Sequence, residues 1–294
     1  MLNQGYAYTA TVGSEGRGRT VLAHLARLYA HSTAEVWQDR LDGGEVTVDG
    51  VRAAGDEVLA AGERLVWKRP PWVEPEAPRE FGVLFEDAEL LAVNKPSGLP
   101  TLPGSGYFEN TLLRLVQART PGANPVHRLG RATTGIVLFA KTAEAAATLG
   151  ANWNTTRVQK IYRALAAGVA ERDAYEIVTP IGLVPHPRLG SVWAADPGGK
   201  PARSVATVIS RTADKTAFAV SLGSGRPHQI RIHLASIGYP LVGDPLYGAG
   251  GLPLERLPGL PGDGGYLLHA ELLRFEHPVT GERIEVEAAL PAGL

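Results

Sequence analysis

The spacing of apolar positions divides the chain into two regions with different periodicity. Within the first 68 residues, helical spacing predicts a helix over 20–29, and the hydroxyls of Ser32 and Thr33 suit the N-cap of a second helix. Alternation over 44–50, ending in Asp-Gly, predicts a strand followed by a tight turn. These elements predict a small α/β unit over residues 1–68.

The remainder of the chain, 79–294, contains many short β-rich runs with helical segments between them. The predicted strands lie at 83–85, 90–93, 135–140, 162–166, 206–209, 217–222 and 283–286. The predicted helices lie at 110–119, 142–153 and 227–237, the last with Pro227 at its first position and Gly238 as its stop. This mixture predicts an α+β domain with a mainly antiparallel mixed sheet.

Two segments rich in proline or glycine separate these elements. Residues 69–78 hold four prolines in ten positions, which predicts a semi-extended linker and a domain boundary. Residues 248–265 are dense in glycine and proline, which predicts a long loop. The predicted organisation is therefore a unit over 1–68, a linker over 69–78 and a larger domain over 79–294.

Composition narrows the class of protein. Apolar residues make up 44% and charged residues 20% of the chain, which is typical of a globular domain. Cysteine is absent, which excludes disulfides and thiolate metal ligands and fits a reducing compartment. No apolar run reaches the roughly 18 residues of a membrane helix, and residues 1–10 do not resemble a secretory signal. We therefore expect a cytoplasmic protein that is not a membrane protein.

Charge is unevenly distributed along the chain. The net charge of −1 argues against a general nucleic-acid binder. However, residues 114–163 hold eight Lys/Arg against one acid, and residues 200–233 hold six against one. A phosphate backbone responds to such local basic surface rather than to the net charge, and chance clustering is the alternative explanation.

Both basic segments contain polar runs beside regular structure. Residues 127–134 form a polar, basic run that leads into the apolar strand 136–140, and glycines at 130 and 135 allow positive φ or close backbone approach. Arg226 precedes the helix predicted from Pro227, and Arg231 lies near its first turn. The helix dipole disfavours cations there, so these arginines require an anion nearby.

These segments resemble a known family. His-Arg-Leu-Gly-Arg-Ala-Thr-Thr-Gly at 127–135 is similar to the active-site signature His-Arg-Leu-Asp-Arg-x-Thr-Ser-Gly of the RluA-type RNA pseudouridine synthases. Four further segments, at 91–99, 160–164, 225–248 and 268–281, resemble the family in the same order. Together the five segments span nearly all of residues 83–291, so the resemblance implies a pseudouridine synthase catalytic domain.

The resemblance implies a function and a set of site residues. The family isomerises uridine to pseudouridine in RNA, here ribosomal or transfer RNA, without a cofactor, and we expect a monomer with neither a bound metal nor a dinucleotide. Three positions correspond to catalytic residues: Gly130, Tyr162 and Arg231. Nine positions correspond to substrate-binding residues: His127, Arg128, Arg131, Thr133, Thr134, Lys160, Arg226, His228 and Gln229.

Two of the catalytic positions carry expected partners. In the family, the tyrosine matching Tyr162 stacks on the target base, and packing at a strand edge is the alternative explanation for this residue. The arginine matching Arg231 pairs with the catalytic aspartate, a partner that is missing here. Arg231 is therefore expected to bind an RNA phosphate, a distant carboxylate or water.

Glycine at position 130 departs from the family. The family aspartate attacks the sugar or removes a ribose proton, and either role needs an ionised oxygen. Asp and Glu are absent between Glu109 and Glu144, so a replacement must come from a distant segment such as Asp196 or Asp214. Three hypotheses follow: an active isomerase with a relocated carboxylate, an RNA-binding protein without catalysis, or a point substitution in an active enzyme.

The first 68 residues also resemble a known module. Their helix, helix and strand pattern is similar to the alpha-L RNA-binding motif that precedes many RluA-type domains. This unit holds seven Lys/Arg against nine Asp/Glu, so it is slightly acidic. A role in RNA binding and a purely structural role both remain open.

Overall fold

The computed structural model describes residues 2–29, 31–256, 259–260 and 262–294. The chain divides into two compact units, Met1–Glu74 and Pro75–Leu294. The division falls inside the segment expected to be a linker, but the first part of that segment packs with the first unit. Asn3 donates to the Glu74 carboxylate at 2.7 Å and accepts from the Trp72 backbone N–H at 3.1 Å.

The first unit is a four-stranded sheet, as far as residues 2–29 and 31–74 show, packed against two helices. Its elements are β1 (Tyr6–Thr11), α1 (Val21–Leu28), α2 (Ala34–Asp42), β2 (Val46–Val48), β3 (Val51–Arg52) and β4 (Arg64–Arg69), with strand order β1-β4-β2-β3. The Thr20 and Thr33 hydroxyls accept from backbone N–H groups of α1 and α2, which confirms the expected second cap. Strands β1 and β4 were not predicted.

An aromatic core holds the first unit together. Trp37 in α2 is fully buried and packs edge-on against Trp67 in β4, with ring centroids 5.0 Å apart. The Arg40 guanidinium lies 4.4 Å from the centroids of both rings. Burial and cation–π attraction thus fix α2 on the sheet. Whether this unit binds RNA stays a prediction.

The second unit contains the rest of the secondary structure. Its first elements are β5 (Gly82–Glu86), β6 (Leu90–Lys95), α3 (Leu112–Arg119), β7 (Asn124–Pro125), β8 (Thr134–Ala140), α4 (Ala143–Asn152) and β9 (Gln159–Ala167). Its later elements are β10 (Ala174–Ile177), β11 (Ile181–His186), β12 (Gly190–Ala195), β13 (Ser204–Arg211), β14 (Lys215–Leu222), α5 (Gln229–Ser236), β15 (Leu268–Glu276) and β16 (Arg283–Glu287). These elements confirm an α+β domain.

One large mixed sheet organises this unit. In the described part of the chain it has ten strands, with a main path in the order β10-β13-β14-β9-β15-β8-β6-β5, while β16 pairs with β15 and β7 with β8. Most pairs are antiparallel, but β8 and β15 run parallel at the centre. Gly135 adopts φ +103° there, and a Cβ at this position would lie 2.3 Å from the Ala270 carbonyl oxygen. The predicted need for glycine at 135 is therefore confirmed.

Both faces of the central strands are buried. In β6, Leu91 and Val93 belong to the core cluster under α3 and α5, whereas Leu90 and Ala92 belong to the cluster under α4. A strand covered on both faces has a continuous apolar run rather than alternation. This explains why 90–93 and 136–140 consist almost entirely of apolar residues.

Helix α5 begins two residues later than its sequence predicts. His228 adopts a left-handed conformation with φ +54°, so Pro227 lies outside the helix and Gln229 is its first residue. The Gln229 side-chain oxygen accepts from the Arg226 backbone N–H at 3.0 Å. The predicted stop is confirmed, because Gly238 has φ +90° just after the helix.

The proline-rich and glycine-rich loop contains little regular structure. A 3-10 turn spans Ala249–Gly251, and Tyr247 forms an isolated bridge with Pro253. Positions 257, 258 and 261 of the predicted loop lie outside the described residues. In the described part of the chain, no helix is long and apolar enough to cross a membrane.

Candidate functional site

Two adjoining cavities open between the loop 128–133 and the start of α5. The inner cavity has a volume of about 110 Å³ and the outer cavity about 440 Å³. Five residues line both cavities: Arg128, Leu129, Gly130, Arg226 and His228. The two cavities therefore form one site, in which the smaller cavity is called inner and the larger, outer cavity is called the mouth.

The site unites most of the residues predicted from the sequence. Eight of them line the inner cavity: Arg128, Gly130, Thr133, Tyr162, Arg226, His228, Gln229 and Arg231. Arg131 lines the outer cavity. His127, Thr134 and Lys160 line neither cavity among the described residues.

Gly130 occupies a position that does not require glycine. Its φ is outside the positive range, so neither a turn nor backbone strain favours glycine there. A Cβ at this position would lie 3.4 Å from the Tyr266 hydroxyl and 3.5 Å from Thr133 Oγ1, which are ordinary contact distances. The expectation that Gly130 serves a positive φ or a close backbone approach is therefore wrong, and a Cβ is accommodated at this position.

Arg231 forms a buried ion pair with Asp244. Its Nε and Nη2 each donate to one oxygen of the Asp244 carboxylate at 2.7 Å, and the two side chains are 2% and 1% exposed. Burial alone would lower the pKa of Arg231, but the hydrogen bonds to Asp244 raise it above its ordinary value. Of the three expected partners for Arg231, the distant carboxylate is the one observed.

Two tyrosines that the sequence did not single out enclose the guanidinium. The Arg231 Cζ lies 4.4 Å from the ring centroid of Tyr266 and 4.9 Å from that of Tyr247. Asp244 is shielded in turn, because its Oδ1 also accepts the backbone N–H groups of Leu246 and Tyr247. These contacts fix the arginine at the floor of the inner cavity.

Tyr162 forms part of the inner wall. It lies in β9 between β14 and β15, paired with Val220 and Ala270, and it is 9% exposed. Burial raises the pKa of its hydroxyl to about 12, so the side chain stays neutral at physiological pH. A neutral aromatic ring at a cavity wall suits stacking on a planar group.

A buried lysine anchors the loop that carries Gly130. The Lys95 ammonium group donates to the backbone oxygens of Pro96, Leu99 and Arg131 at 2.7–2.9 Å. Burial lowers the pKa of Lys95 to about 7. The motif containing this lysine was noted in the sequence, but its hydrogen bond to Arg131 in the loop was not predicted.

Arg131 and His228 hold the mouth of the site. Arg131 donates to the Gly262 carbonyl oxygen at 2.9 Å and to the Tyr107 hydroxyl at 3.1 Å. The Tyr247 hydroxyl donates to the Trp193 carbonyl oxygen, so His228 Nδ1, at 2.7 Å, donates to that hydroxyl. Burial lowers the pKa of His228 to about 4, and the nearby Arg231 charge acts in the same direction.

The three predicted residues outside the cavities make internal contacts. His127 Nε2 accepts from the Leu138 backbone N–H at 3.1 Å, and its ring stacks on Trp153. Lys160 donates to the Trp153 carbonyl oxygen at 2.9 Å. Thr134 begins β8 and its hydroxyl lies 2.8 Å from His269 Nδ1. These contacts support the sheet around the site.

Among the described residues, no Asp or Glu side chain lines either cavity. Asp244 touches Arg231 but is enclosed beneath it. Asp196 accepts from the Gly198 backbone N–H, and the exposed Asp214 accepts from the Thr212 hydroxyl, so neither candidate replacement reaches the site. Within those same residues, no cluster of His, Cys, Asp or Glu could hold a metal ion. The described lining of the two cavities thus offers cations, hydroxyls and an aromatic wall.

Comparison with known proteins identifies relatives across the whole chain. Residues 89–236 match the family model described as RNA pseudouridylate synthase. An uncharacterised RNA pseudouridine synthase of Synechocystis is 40% identical over 93% of this chain and 95% of its own length. Ribosomal large subunit pseudouridine synthase D of Pseudomonas aeruginosa is 33% identical over 92% of this chain and 87% of its own length.

A solved structure shares the fold. The human RNA pseudouridylate synthase domain containing 1 protein superposes with a TM-score of 0.57 at 23% identity. The match covers 74% of this chain and 87% of the human chain. The architecture around the two cavities is thus one found in pseudouridylate synthases.

Removing the charge of Asp244 should destabilise the second unit strongly. Asp244→Asn leaves the Arg231 charge buried without a counter-ion, and breaking a buried pair costs about 3–5 kcal/mol. Urea unfolding followed by circular dichroism measures this loss. The matched control is Asp173→Asn, which removes an exposed pair with Arg211 worth about 0–1 kcal/mol. A loss below about 1 kcal/mol for Asp244→Asn would contradict the structural role.

His127 should make the protein sensitive to acid. Burial, aided by the Lys160 charge, lowers the pKa of folded His127 to about 3, below its unfolded value of 6.5. The stability that neutral His127 contributes is complete above pH 6.5 and is lost as the pH falls towards 3, by up to about 1.4 kcal/mol per unit. Urea unfolding of wild type and His127→Gln at pH 7, 5 and 4 tests this, and the difference should shrink as pH falls. A difference independent of pH would rule out this titration.

Proposed function

Because the chain belongs to the RluA-type family of RNA pseudouridine synthases, we propose that it binds RNA and holds a uridine nucleotide in the inner cavity. In this proposal the protein binds the nucleotide, but because residue 130 is glycine it converts uridine to pseudouridine weakly or not at all. The observation that carries this proposal is that the cavity retains the expected binding residues but lacks the expected carboxylate. Tyr162, Arg231 and Gly130 line the same cavity, which no Asp or Glu side chain lines among the described residues.

The binding half of the proposal rests on three kinds of group. Tyr162 offers a neutral ring for stacking, which contributes about 1–3 kcal/mol per base. Arg128 and Arg226 lie at the mouth, where they suit the phosphates on either side of an extruded nucleotide. The hydroxyls of Thr133 and Tyr266 lie beside Gly130 and suit polar atoms of the sugar or base.

The catalytic half of the proposal follows from the chemistry of the reaction. Breaking the bond between ribose and uracil nitrogen and rejoining it through carbon needs a nucleophile or a base at the sugar. Loss of a general base lowers the rate roughly 10²–10⁴-fold, and loss of a nucleophile lowers it by the order of 10⁶-fold. Arg231 cannot replace this group, because a guanidinium is always protonated and offers no lone pair to a proton or a sugar carbon.

The RNA that we propose as the ligand is ribosomal or transfer RNA. Several relatives carry names that refer to the large ribosomal subunit, as in Pseudomonas aeruginosa and Neisseria meningitidis. Those names describe the relatives. For this chain, extrusion of a uridine from a structured RNA into the inner cavity is the mode of binding that the Tyr162 wall and the basic mouth support.

A second candidate is an active isomerase with a relocated carboxylate, and Asp263 is the residue that favours it. Asp263 Oδ1 lies 3.5 Å from Nη2 of Arg131, a residue that lines the outer cavity. Its side chain is 41% exposed, whereas Asp244 is enclosed beneath Arg231. Asp263 also follows Gly262, which lines the outer cavity together with Gly130.

Restoring the carboxylate should restore turnover. We expect Gly130→Asp to leave the backbone unchanged, because a Cβ at this position makes only ordinary contacts. We expect pseudouridine formation to rise at least 100-fold over wild type, measured by chemical tagging and sequencing of RNA from a strain lacking the gene. Gly130→Asn is the matched control, since it fills the same space without an ionisable oxygen. Equal modification by wild type and Gly130→Asp would refute the catalytic half of the proposal.

Replacing Asp263 separates the two candidates. If the site lacks a working carboxylate, Asp263→Asn leaves the residual single-turnover rate of the wild-type chain unchanged, which is our expectation. A loss of 10²–10⁴-fold would instead assign the general base to Asp263. The same substitution in the Gly130→Asp background is the control, because there it should have no effect under either candidate.

A further inference from the structure

A third cavity, of about 680 Å³, lies where several strands of the large sheet end. We call it the strand-end groove. Among the described residues, five cations line it, Arg157, Lys160, Arg203, Arg274 and Arg283, against one acid, Glu276. These cations come from the segment before β9 and from β9, β15, β16 and the residue before β13, so the fold concentrates charge that the sequence spreads over more than 120 positions.

The strand-end groove adjoins the inner cavity. Leu222, at the end of β14, lines both. Lys160 in the groove precedes Tyr162 in the cavity by two residues on the same strand, so both side chains lie on one face of β9. The Arg203 carbonyl oxygen accepts from the Gln229 side chain at 2.9 Å, which joins the groove to the start of α5. An RNA strand that leaves the inner cavity past Leu222 therefore enters the groove.

Some of these cations are held internally and others can exchange partners. Lys160 is 7% exposed and donates to the Trp153 carbonyl oxygen, so it is fixed. Arg203 pairs with Glu176 at 2.7 Å with both side chains 58% exposed, and Arg157 lies 3.7 Å from Glu276 with both more than half exposed. Exposed pairs of this kind contribute little to stability, so a phosphate can displace the carboxylate.

We propose that the strand-end groove binds backbone phosphates of the RNA segment that continues from the nucleotide in the inner cavity. The inference rests on the proposed function, because it takes the inner cavity as the place of the uridine. The remaining lining includes the polar side chains of Asn154, Thr155 and Gln159, which suit phosphate and sugar oxygens. The cations come from five segments in one continuous groove, as expected for contact with an extended anionic strand.

The groove also explains the uneven charge of the sequence. Arg157 and Lys160 belong to the basic stretch 114–163, and Arg203 belongs to the stretch 200–233. The same two stretches supply Arg128, Arg131 and Arg226 to the outer cavity. A chain with net charge −1 thus has a local basic path from the mouth of the site to the groove.

The salt dependence of RNA binding tests the proposal. The probe is a fluorescein-labelled, uridine-containing single-stranded RNA, and its affinity for the full chain is measured by anisotropy over a range of KCl concentrations. Each arginine–phosphate pair that a substitution removes should reduce the slope of log K against log salt by about 0.7. The triple variant Arg157→Gln, Arg203→Gln, Arg283→Gln should therefore make the slope less steep by about 2 and weaken binding at low salt.

A matched variant controls for the change in net charge. The control is Arg119→Gln, Arg172→Gln, Arg188→Gln, which removes three arginines that line none of the three cavities. It should keep the slope of the wild type within about 0.5, since distant charges contribute little at moderate salt. Circular dichroism establishes that both triple variants remain folded.

A third variant separates this proposal from the proposed function. Arg128→Gln, Arg226→Gln removes two cations at the mouth of the site. If this variant loses affinity while the groove variant keeps the wild-type slope, RNA binds at the site but leaves in another direction, and the groove proposal is overturned. If the wild-type chain does not bind the RNA at all, both proposals are overturned.

Discussion

The buried ion pair between Arg231 and Asp244 determines how the site region packs. The buried guanidinium of Arg231 needs a counter-ion, because an unpaired buried charge costs several kcal/mol. Asp244 supplies this counter-ion. Its carboxylate also accepts the backbone N–H groups of Leu246 and Tyr247, so it ties Arg231 of α5 to the turn at 244–247. The Tyr247 hydroxyl continues this network to His228 and to β12. The arginine is therefore held without any help from position 130.

This arrangement separates folding from chemistry. If Arg231 depended on a carboxylate at position 130 for its only counter-ion, glycine there would leave a buried charge unpaired. With Asp244 in place, the wall, the floor and the mouth of the cavity persist with glycine at 130. Lys95 contributes in the same way, because its hydrogen bond to the Arg131 carbonyl oxygen ties the loop 128–133 to the segment 95–99 independently of the side chain at 130.

Much of the fold could be predicted from local patterns, and the exceptions have physical causes. The central strands β6 and β8 were predictable because both faces are buried and their apolar runs are continuous. The hairpin β11–β12 was missed because Gly182, Pro185 and Gly190 interrupt its alternation. The start of α5 was misplaced because the left-handed conformation of His228, whose side chain is hydrogen-bonded to Tyr247, depends on tertiary contacts.

The site was predictable only where the resemblance supplied it. Gly130, Tyr162 and Arg231 meet at one cavity, and their common location could not follow from spacing alone, since 101 positions separate the first from the last. Tyr266 and the pairing of Asp244 with Arg231 arise from long-range packing that leaves no local signal. His127 lies inside the signature, but its side chain contacts β8 and Trp153 rather than the two cavities. Membership of the motif therefore did not place this side chain in the site.

The unstrained backbone at Gly130 has a consequence for the history of this protein. Two of the four glycine codons become aspartate codons through one base change, and a Cβ at position 130 makes only ordinary contacts with Thr133 and Tyr266. One nucleotide change can therefore exchange the two residues without a steric demand on the backbone of the loop 128–133. The architecture places no constraint of its own on position 130, so the residue found there is determined by the chemistry of the site.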